Sequence, residues 1–306
     1  MRVSTGVAEN GTSLPPLRGI GWPRARWRWF KSQFVRFSGL SPLRLIADLQ
    51  RARRLNHGRI EMPEPVNDKG PERVVVSLTT IPERVAHLQP VLAALLEQDR
   101  PPDRVILALP EVSLRSGKPY PLPERLPDGV DILRCEDTGP SSKLLPALRA
   151  EPKAHIIVAD DDVIYPRDFI STLLRRHRAA PEAAIGLRGW CIEPEVEPRH
   201  YEHVWGTALK TPKQVDILLG TWGYLIPPAS LDDAVHDYSG YPDAMRWVDD
   251  VWVSGHLARL GIARMVVPSR GFPLRTRTER LHALTFGLNR SGLNDRIAVA
   301  AMSRFW

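Results

Sequence analysis

The chain has 306 residues, 43% of them hydrophobic and 25% charged, with two cysteines and a net charge of +7. That composition excludes a collagen-like, disordered or disulfide-stapled protein and fits a globular chain of one large α/β domain with extensions, or of two smaller domains. No apolar run reaches the ~18–20 residues that a bilayer-spanning helix needs, and no signal-peptide core opens the sequence, so an integral membrane protein is not expected. Cys135 and Cys191 have no metal-ligand spacing, and a reducing, cytoplasmic setting is the expectation.

The charge is concentrated at one end. Residues 1–70 hold thirteen Lys/Arg against five Asp/Glu, a net of +8, which leaves the rest of the chain near neutrality at −1. Residues 1–20, rich in Gly, Ser, Thr and Pro without periodicity, are expected to be disordered. From Gly21 to Arg59, Trp22, Trp27, Trp29, Phe30, Phe34 and Phe37 interleave with Arg24, Arg26, Arg28, Lys31 and Arg36. Bulky aromatics among cations suit an anionic membrane surface, and they place the protein at the inner face of the membrane as a peripheral component. The competing expectation is an arm that packs its aromatics on the main domain; nucleic acid is disfavoured as a partner. Leu43 to Leu55 reads as a helix with Leu45, Ile46, Leu49 and Arg53 on one face. Residues 1–60 are therefore an N-terminal arm, and 61–72, with Pro63, Pro65 and Pro71, a linker.

The core begins with Arg73–Ile81, a β-branched run that reads as a strand. Pro82 opens a helix through Leu88, Val91, Leu92, Leu95 and Leu96, and Val105–Leu109 is the next strand, giving a parallel βαβ start. No glycine fingerprint for a dinucleotide and no phosphate-binding G-x-x-x-x-G-K follows the first strand. Residues 110–129 are a Pro- and Gly-rich loop, and Val130–Arg134 is a third strand. Gly139, Ser141 and Ser142 then start a helix, where free N–H groups favour anions and Lys143 stands to contact a diphosphate or to be a solvated lysine.

The chain is organised around Ile156-Ile157-Val158-Ala159-Asp160-Asp161-Asp162-Val163. A buried strand running into three carboxylates puts them at the C-terminal edge of a sheet, where open α/β folds bind ligands. Alternation along an extended segment would let Asp160 and Asp162 point the same way and share one cation. A solvated acidic turn is the plainer alternative. Further on, Ala184–Trp190 reads as a strand, 193–212 as a flap, and Val215–Pro228 as a segment in which Gly220 and Gly223 allow close approach. Trp222 and Tyr224 there offer flat faces to a sugar or simply belong to the core. Asp249 and Asp250 stand at the N-terminus of a helix running to Gly261, as caps or as a general base. The tail carries Arg275, Arg277, Arg280, His282, Asn289, Asn294 and Asp295.

The Asp160-Asp161-Asp162-Val163 strand end, the Gly220-Thr221-Trp222-Gly223-Tyr224 stretch and Asp249-Asp250-Val251, in that order over residues 73–268, resemble the GT-A-fold glycosyltransferases, those of the family 2-like and β-1,3-glycosyltransferase-like types. The resemblance implies an α/β/α sandwich with a mixed, mainly parallel sheet over residues 73–270, and a closing segment over 271–306. It implies a UDP- or GDP-sugar donor bound by Thr79, Arg84, Lys143, Asp160 and Asp161. A Mn2+ or Mg2+ ion would lie on Asp160 and Asp162. A glycan or lipid-linked acceptor would lie on Trp222, Gly223 and Tyr224, with Asp250 as catalytic base beside Asp249. Asp249 departs from the Glu of many relatives, and the arm lacks the membrane anchor of Golgi members, which implies a bacterial-type enzyme of polysaccharide or glycoconjugate synthesis. Two other readings compete. A haloacid-dehalogenase-like phosphatase shares an Asp-x-Asp strand end, but in the first core strand. A membrane-docked sugar-binding module would keep both acidic sites without turnover.

Overall fold

Every residue of β1 (Val74–Thr79) except the last is buried, and the strand alternates between two cores. Val74, Val76 and Leu78 face one, Val75 the other. That is why the run is apolar without a break: a central strand has no solvent side. The computed structural model describes residues 39–59, 61, 70–192, 201–276, 278 and 292–306.

The strands after β1 are β2 (Arg104–Pro110), β3 (Val130–Cys135), β4 (His155–Val158), β5 (Val163–Ile164), β6 (Ala184–Gly186), β7 (Arg188–Cys191), β8 (Glu202–Trp205), β9 (Lys213–Gln214), β10 (Ile217–Leu218), β11 (Tyr224–Ile226), β12 (Arg264–Val266) and β13 (Leu274–Arg275). The main sheet has eight strands in the order β3-β2-β1-β4-β11-β6-β12-β9. The β1–β2, β2–β3, β1–β4 and β6–β12 pairs are parallel. β11 runs antiparallel between β4 and β6, and β9 antiparallel to β12, so six of the eight strands share one direction. β7, β8 and β10 form a second, small sheet, and β13 pairs with β5 immediately after the three aspartates.

Helices cover both faces. Described residues form α1 (Pro42–Asn56), α2 (Gln89–Leu96), α3 (Leu145–Ala150), α4 (Phe169–His177), α5 (Asp249–Arg259) and α6 (Leu293–Ala301). The apolar sides of α2 and α4 (Val91, Leu92, Leu95, Phe169, Leu173) close one core. Those of α3, α5 and α6 (Leu145, Val251, Trp252, Leu257, Ala298) close the other. The architecture is thus a three-layer α/β/α sandwich on a mixed, mainly parallel sheet, as expected from the sequence.

Local departures have local causes. The helix expected from Pro82 splits into a 3₁₀ turn, Pro82–His87, and α2, with Pro90 in the first turn of α2. The strand expected over 184–190 breaks at Leu187 into β6 and β7, which join different sheets. Within the expected flap, 201–212 contains β8 and a 3₁₀ turn, while 193–200 lies outside the described residues. Residues 1–38, with all six arm aromatics, most of the linker, and Arg277, Arg280, His282 and Asn289 lie outside them too.

The arm helix is where the face assignment changes. Leu45, Ala52 and Leu55 turn inward, and so do its arginines. Arg54 pairs with Glu97 at 2.6 Å and Arg51 with the same carboxylate at 3.3 Å. Arg44 reaches Asp168 at 2.5 Å. Arg51 also donates to the carbonyls of Tyr165 and Ala94. Ile46, Leu49 and Arg53, expected to share a face with Leu45, point outward instead.

Candidate active site

The chain leaves β4 at Val158, and Asp160–Asp162 form a turn before β5 rather than an extension of the strand. The alternation that would aim Asp160 and Asp162 the same way therefore does not apply. Asp160 turns toward Lys143, whose Nζ lies 2.9 Å from Asp160 Oδ1. Asp161 is buried, accepts from Thr80 Oγ1 at 2.6 Å and pairs with Arg84 Nη1 at 2.7 Å. Asp162 Oδ2 lies 3.0 Å from the same Arg84 nitrogen. The turn is fixed by its backbone: Asp160 N–H donates to Tyr165 Oη, and Thr276 donates twice to Asp162 C=O.

Lys143 ends the 3₁₀ turn Gly139–Lys143 and is buried. It is neither a solvated lysine nor exposed at a helix start. Its ammonium bridges Asp160 on one side and Asp249 Oδ2, also at 2.9 Å, on the other. Burial opposes its charge, but Asp160, Asp249 and Asp250 outweigh that cost and hold the amine well above its ordinary value.

Asp249 and Asp250 occupy the first turn of α5, as the sequence predicts. Asp249 is buried against Lys143, whereas Asp250 is partly exposed and accepts the Gly220 N–H at 2.8 Å on Oδ1. Burial, then the charge of Asp249, pushes the Asp250 carboxyl up to about 8, against the pull of Lys143 and the Gly220 N–H. A Cβ at position 220 would stand 2.6 Å from Lys143 Nζ and 3.1 Å from Asp250 Oδ1, so a larger residue there would displace the lysine tip from the cluster.

Behind this cluster the aromatic segment is core. Trp222 and Tyr224 are 3% and 1% exposed, and Trp222 lies between Trp205 and Phe272 at ring distances of 5.0 and 5.7 Å. Neither ring presents an open face. Gly223, at φ 76°, lets the chain pass Phe169, whose ring a Cβ would strike. The Tyr224 hydroxyl has no hydrogen-bond partner among the described residues; burial and then the charge of Asp249 raise it well above its ordinary value.

Thr79 ends β1 and donates to Ala108 C=O at 2.8 Å. The hydroxyl that reaches the acidic turn is that of Thr80, which sequence reasoning missed, as it missed Tyr165. The Thr79-Thr80 doublet at a strand end was the available signal; nothing local marked Tyr165. A cavity of about 450 Å³ lies beside the Gly139–Lys143 turn, lined by Glu136, Thr138, His236, Tyr238, Asp243 and Arg246 among others; none of the clustered carboxylates lines it.

The residues present fit a hard divalent cation in one way. Asp160 and Asp162 are partly exposed oxygen donors, but no three His, Cys, Asp or Glu side chains converge on a metal position among the described residues. Asp160 is already paired with Lys143 and Asp162 with Arg84, so Mg2+ or Mn2+ would have to share these carboxylates and take its remaining ligands from water and phosphate oxygens.

No family model matches the chain, and no curated protein does. Among solved structures it is similar to the mannosyltransferase PcManGT from Pyrobaculum calidifontis in complex with GDP-Man and Mn2+. The TM-score is 0.47 and the identity 17%, over 85% of this chain and 73% of that one. So distant a likeness assigns no function; the side chains of the site must do so.

Proposed function

We propose that the chain is a glycosyltransferase that moves a sugar from a nucleotide-diphosphate donor, of the UDP or GDP type, to a hydroxyl acceptor. The observation that carries this reading is the buried Lys143 held between Asp160 at the end of β4 and Asp249 at the start of α5. It joins an acidic turn suited to a donor diphosphate and its cation to the Asp249-Asp250 pair, whose second member is suited to take a proton.

Asp250 is the base in this reading. Gly220 N–H fixes one of its oxygens, and a pKa of about 8 makes it a stronger proton acceptor than an ordinary aspartate. The acceptor oxygen bonds to the anomeric carbon while the bond from that carbon to the diphosphate breaks. The acceptor proton passes to Asp250. Attack opposite the leaving group inverts the anomeric centre. Asp249 and Lys143 hold Asp250 in a defined field. Arg84 and Thr80 hold Asp161 and so shape the turn, and Thr79 stands at the same strand edge. Asp160 and Asp162 would hold Mn2+ or Mg2+, which when bound supplies charge neutralisation of the leaving diphosphate. Trp222, Gly223 and Tyr224 form the rigid floor under Gly220 on the acceptor side, and the acceptor is a glycan or lipid-linked glycan of a bacterial-type pathway. The phosphatase alternative is disfavoured because its nucleophile motif belongs on the first core strand, and here it comes after β4.

Calorimetric titration with UDP and GDP, with and without Mn2+, tests the reading. One nucleotide should bind with a metal-dependent affinity that Asp160→Asn and Asp162→Asn both weaken. Unchanged affinity in both variants overturns the metal assignment, and no response to either nucleotide overturns the class.

A further inference from the structure

The arm helix α1 turns Leu45, Ala52 and Leu55 inward but keeps a second set of aliphatic residues on its outer face. A surface helix ordinarily buries its leucines and shows its charges. Here Arg44, Arg51 and Arg54 are turned inward onto Asp168 and Glu97. Leu43, Ile46 and Leu49 are 80%, 52% and 51% exposed. Ala47, Gln50 and Arg53 complete the outward face, and it carries no carboxylate, because Asp48 is turned toward Arg44 at 3.6 Å. An aliphatic stripe held outward by partly buried ion pairs is costly to leave in water and marks a surface with another partner.

The chain leading into α1 says what that partner is. Residues 10–47 contain seven Lys/Arg and no Asp or Glu, and six Trp or Phe stand within 22–37. A stretch this basic and aromatic, preceding in sequence an aliphatic stripe whose one charge is Arg53, is complementary to an anionic lipid surface: aliphatic side chains enter the headgroup boundary and cations meet phosphate. We infer that α1 docks the protein on an anionic bilayer through Leu43, Ile46 and Leu49, with the preceding basic segment supplying the electrostatic attraction. A second copy of the chain would offer the stripe apolar contact but would bring the same cations against each other.

The test is flotation of the full chain with vesicles of phosphatidylcholine alone and with added phosphatidylglycerol, at low and high salt. The native chain should float with the anionic vesicles, less so at high salt, and not with the neutral ones. The combined variant Leu43→Ser, Ile46→Ser, Leu49→Ser should keep the native melting temperature and lower the partition by about tenfold or more. Absence of flotation by the native chain overturns the inference. So does a triple variant that floats like the native, since the basic segment would then act alone. Salt-resistant self-association that the triple variant abolishes, without flotation, assigns the stripe to a second copy and also overturns it. Nucleotide binding of the triple variant should equal the native, so failure of the active-site reading is separately visible.

Discussion

Two buried ion clusters stand close to the acidic turn, and they balance charge in opposite ways. At Glu97, fully buried, one carboxylate meets two guanidiniums, Arg54 and Arg51. Burial alone would push that carboxyl up, but the two arginines overcome it and hold it below the usual range. At Lys143, one ammonium serves Asp160 and Asp249 at contact and lies in the field of Asp250. There burial and then the charge of Asp249 outweigh the pull of the ammonium, and Asp250 is left with its pKa raised to about 8. The first cluster is closed and structural. The second has an acid in surplus, the state that accepts a proton or another cation.

The largest expected effect comes from removing the surplus acid. Asp250→Asn should lower kcat/KM for transfer by about 10²–10⁴-fold. It should not lower the melting temperature, because a group whose folded pKa is raised already favours the neutral form. The native kcat/KM should rise with pH through about 8, since only the deprotonated base accepts a proton, and the variant should lack that limb. A variant that keeps the limb would take the base role from Asp250.

At the closed cluster the same kind of change should do the reverse. Glu97→Ala removes the one carboxylate shared by two partly buried arginines and should cost about 2–3 kcal/mol in urea unfolding, with turnover per folded molecule near native. Lys143→Met falls between the two. Without its ammonium, Asp250 loses the positive charge that pulls its carboxyl down, so that carboxyl climbs further and stability is lost as pH rises through it. The variant should therefore lose about 2 kcal/mol near neutrality and more towards about pH 9, measured as unfolding free energy against pH. A pH-independent loss would mean that Lys143 acts by packing alone.

A surface pair sets the lower bound of the comparison. Glu72 and Arg178 meet at 2.5 and 2.7 Å, and Arg178, then backbone contacts, holds Glu72 at about 2, below its ordinary 4.5. The stability this contributes is present above the unfolded value and lost as pH falls through about 2. Half of Arg178 is in solvent, so Arg178→Ala should cost only about 0.5–1 kcal/mol, read from acid unfolding curves.

The first strands, the parallel start and the helix carrying Asp249 and Asp250 were legible in the sequence because each rests on a local pattern: β-branched runs, proline starts, an acidic first turn. What was illegible is what depends on two distant segments meeting. Periodicity places Lys143 near the end of a turn but cannot show that α5 supplies it with a second carboxylate. Alternation at Asp160 and Asp162 presumed a strand, and the chain turns there because Tyr165 and Thr276 capture its backbone. The face of α1 was misread for a related reason: arginines count as solvent-seeking in a pattern, and only Glu97 and Asp168 reveal that they are ligated inward.

Arg51 gives its guanidinium to the carbonyl of Tyr165, and the hydroxyl of that tyrosine receives the Asp160 N–H. The arm helix is therefore no tether on which the catalytic body swings. It is a splint, set in the same plaster as the acidic turn, so the direction in which Leu43, Ile46 and Leu49 look is fixed relative to the direction in which the carboxylates look. Whatever lies against the stripe meets the carboxylate edge at one angle only, with its orientation already decided.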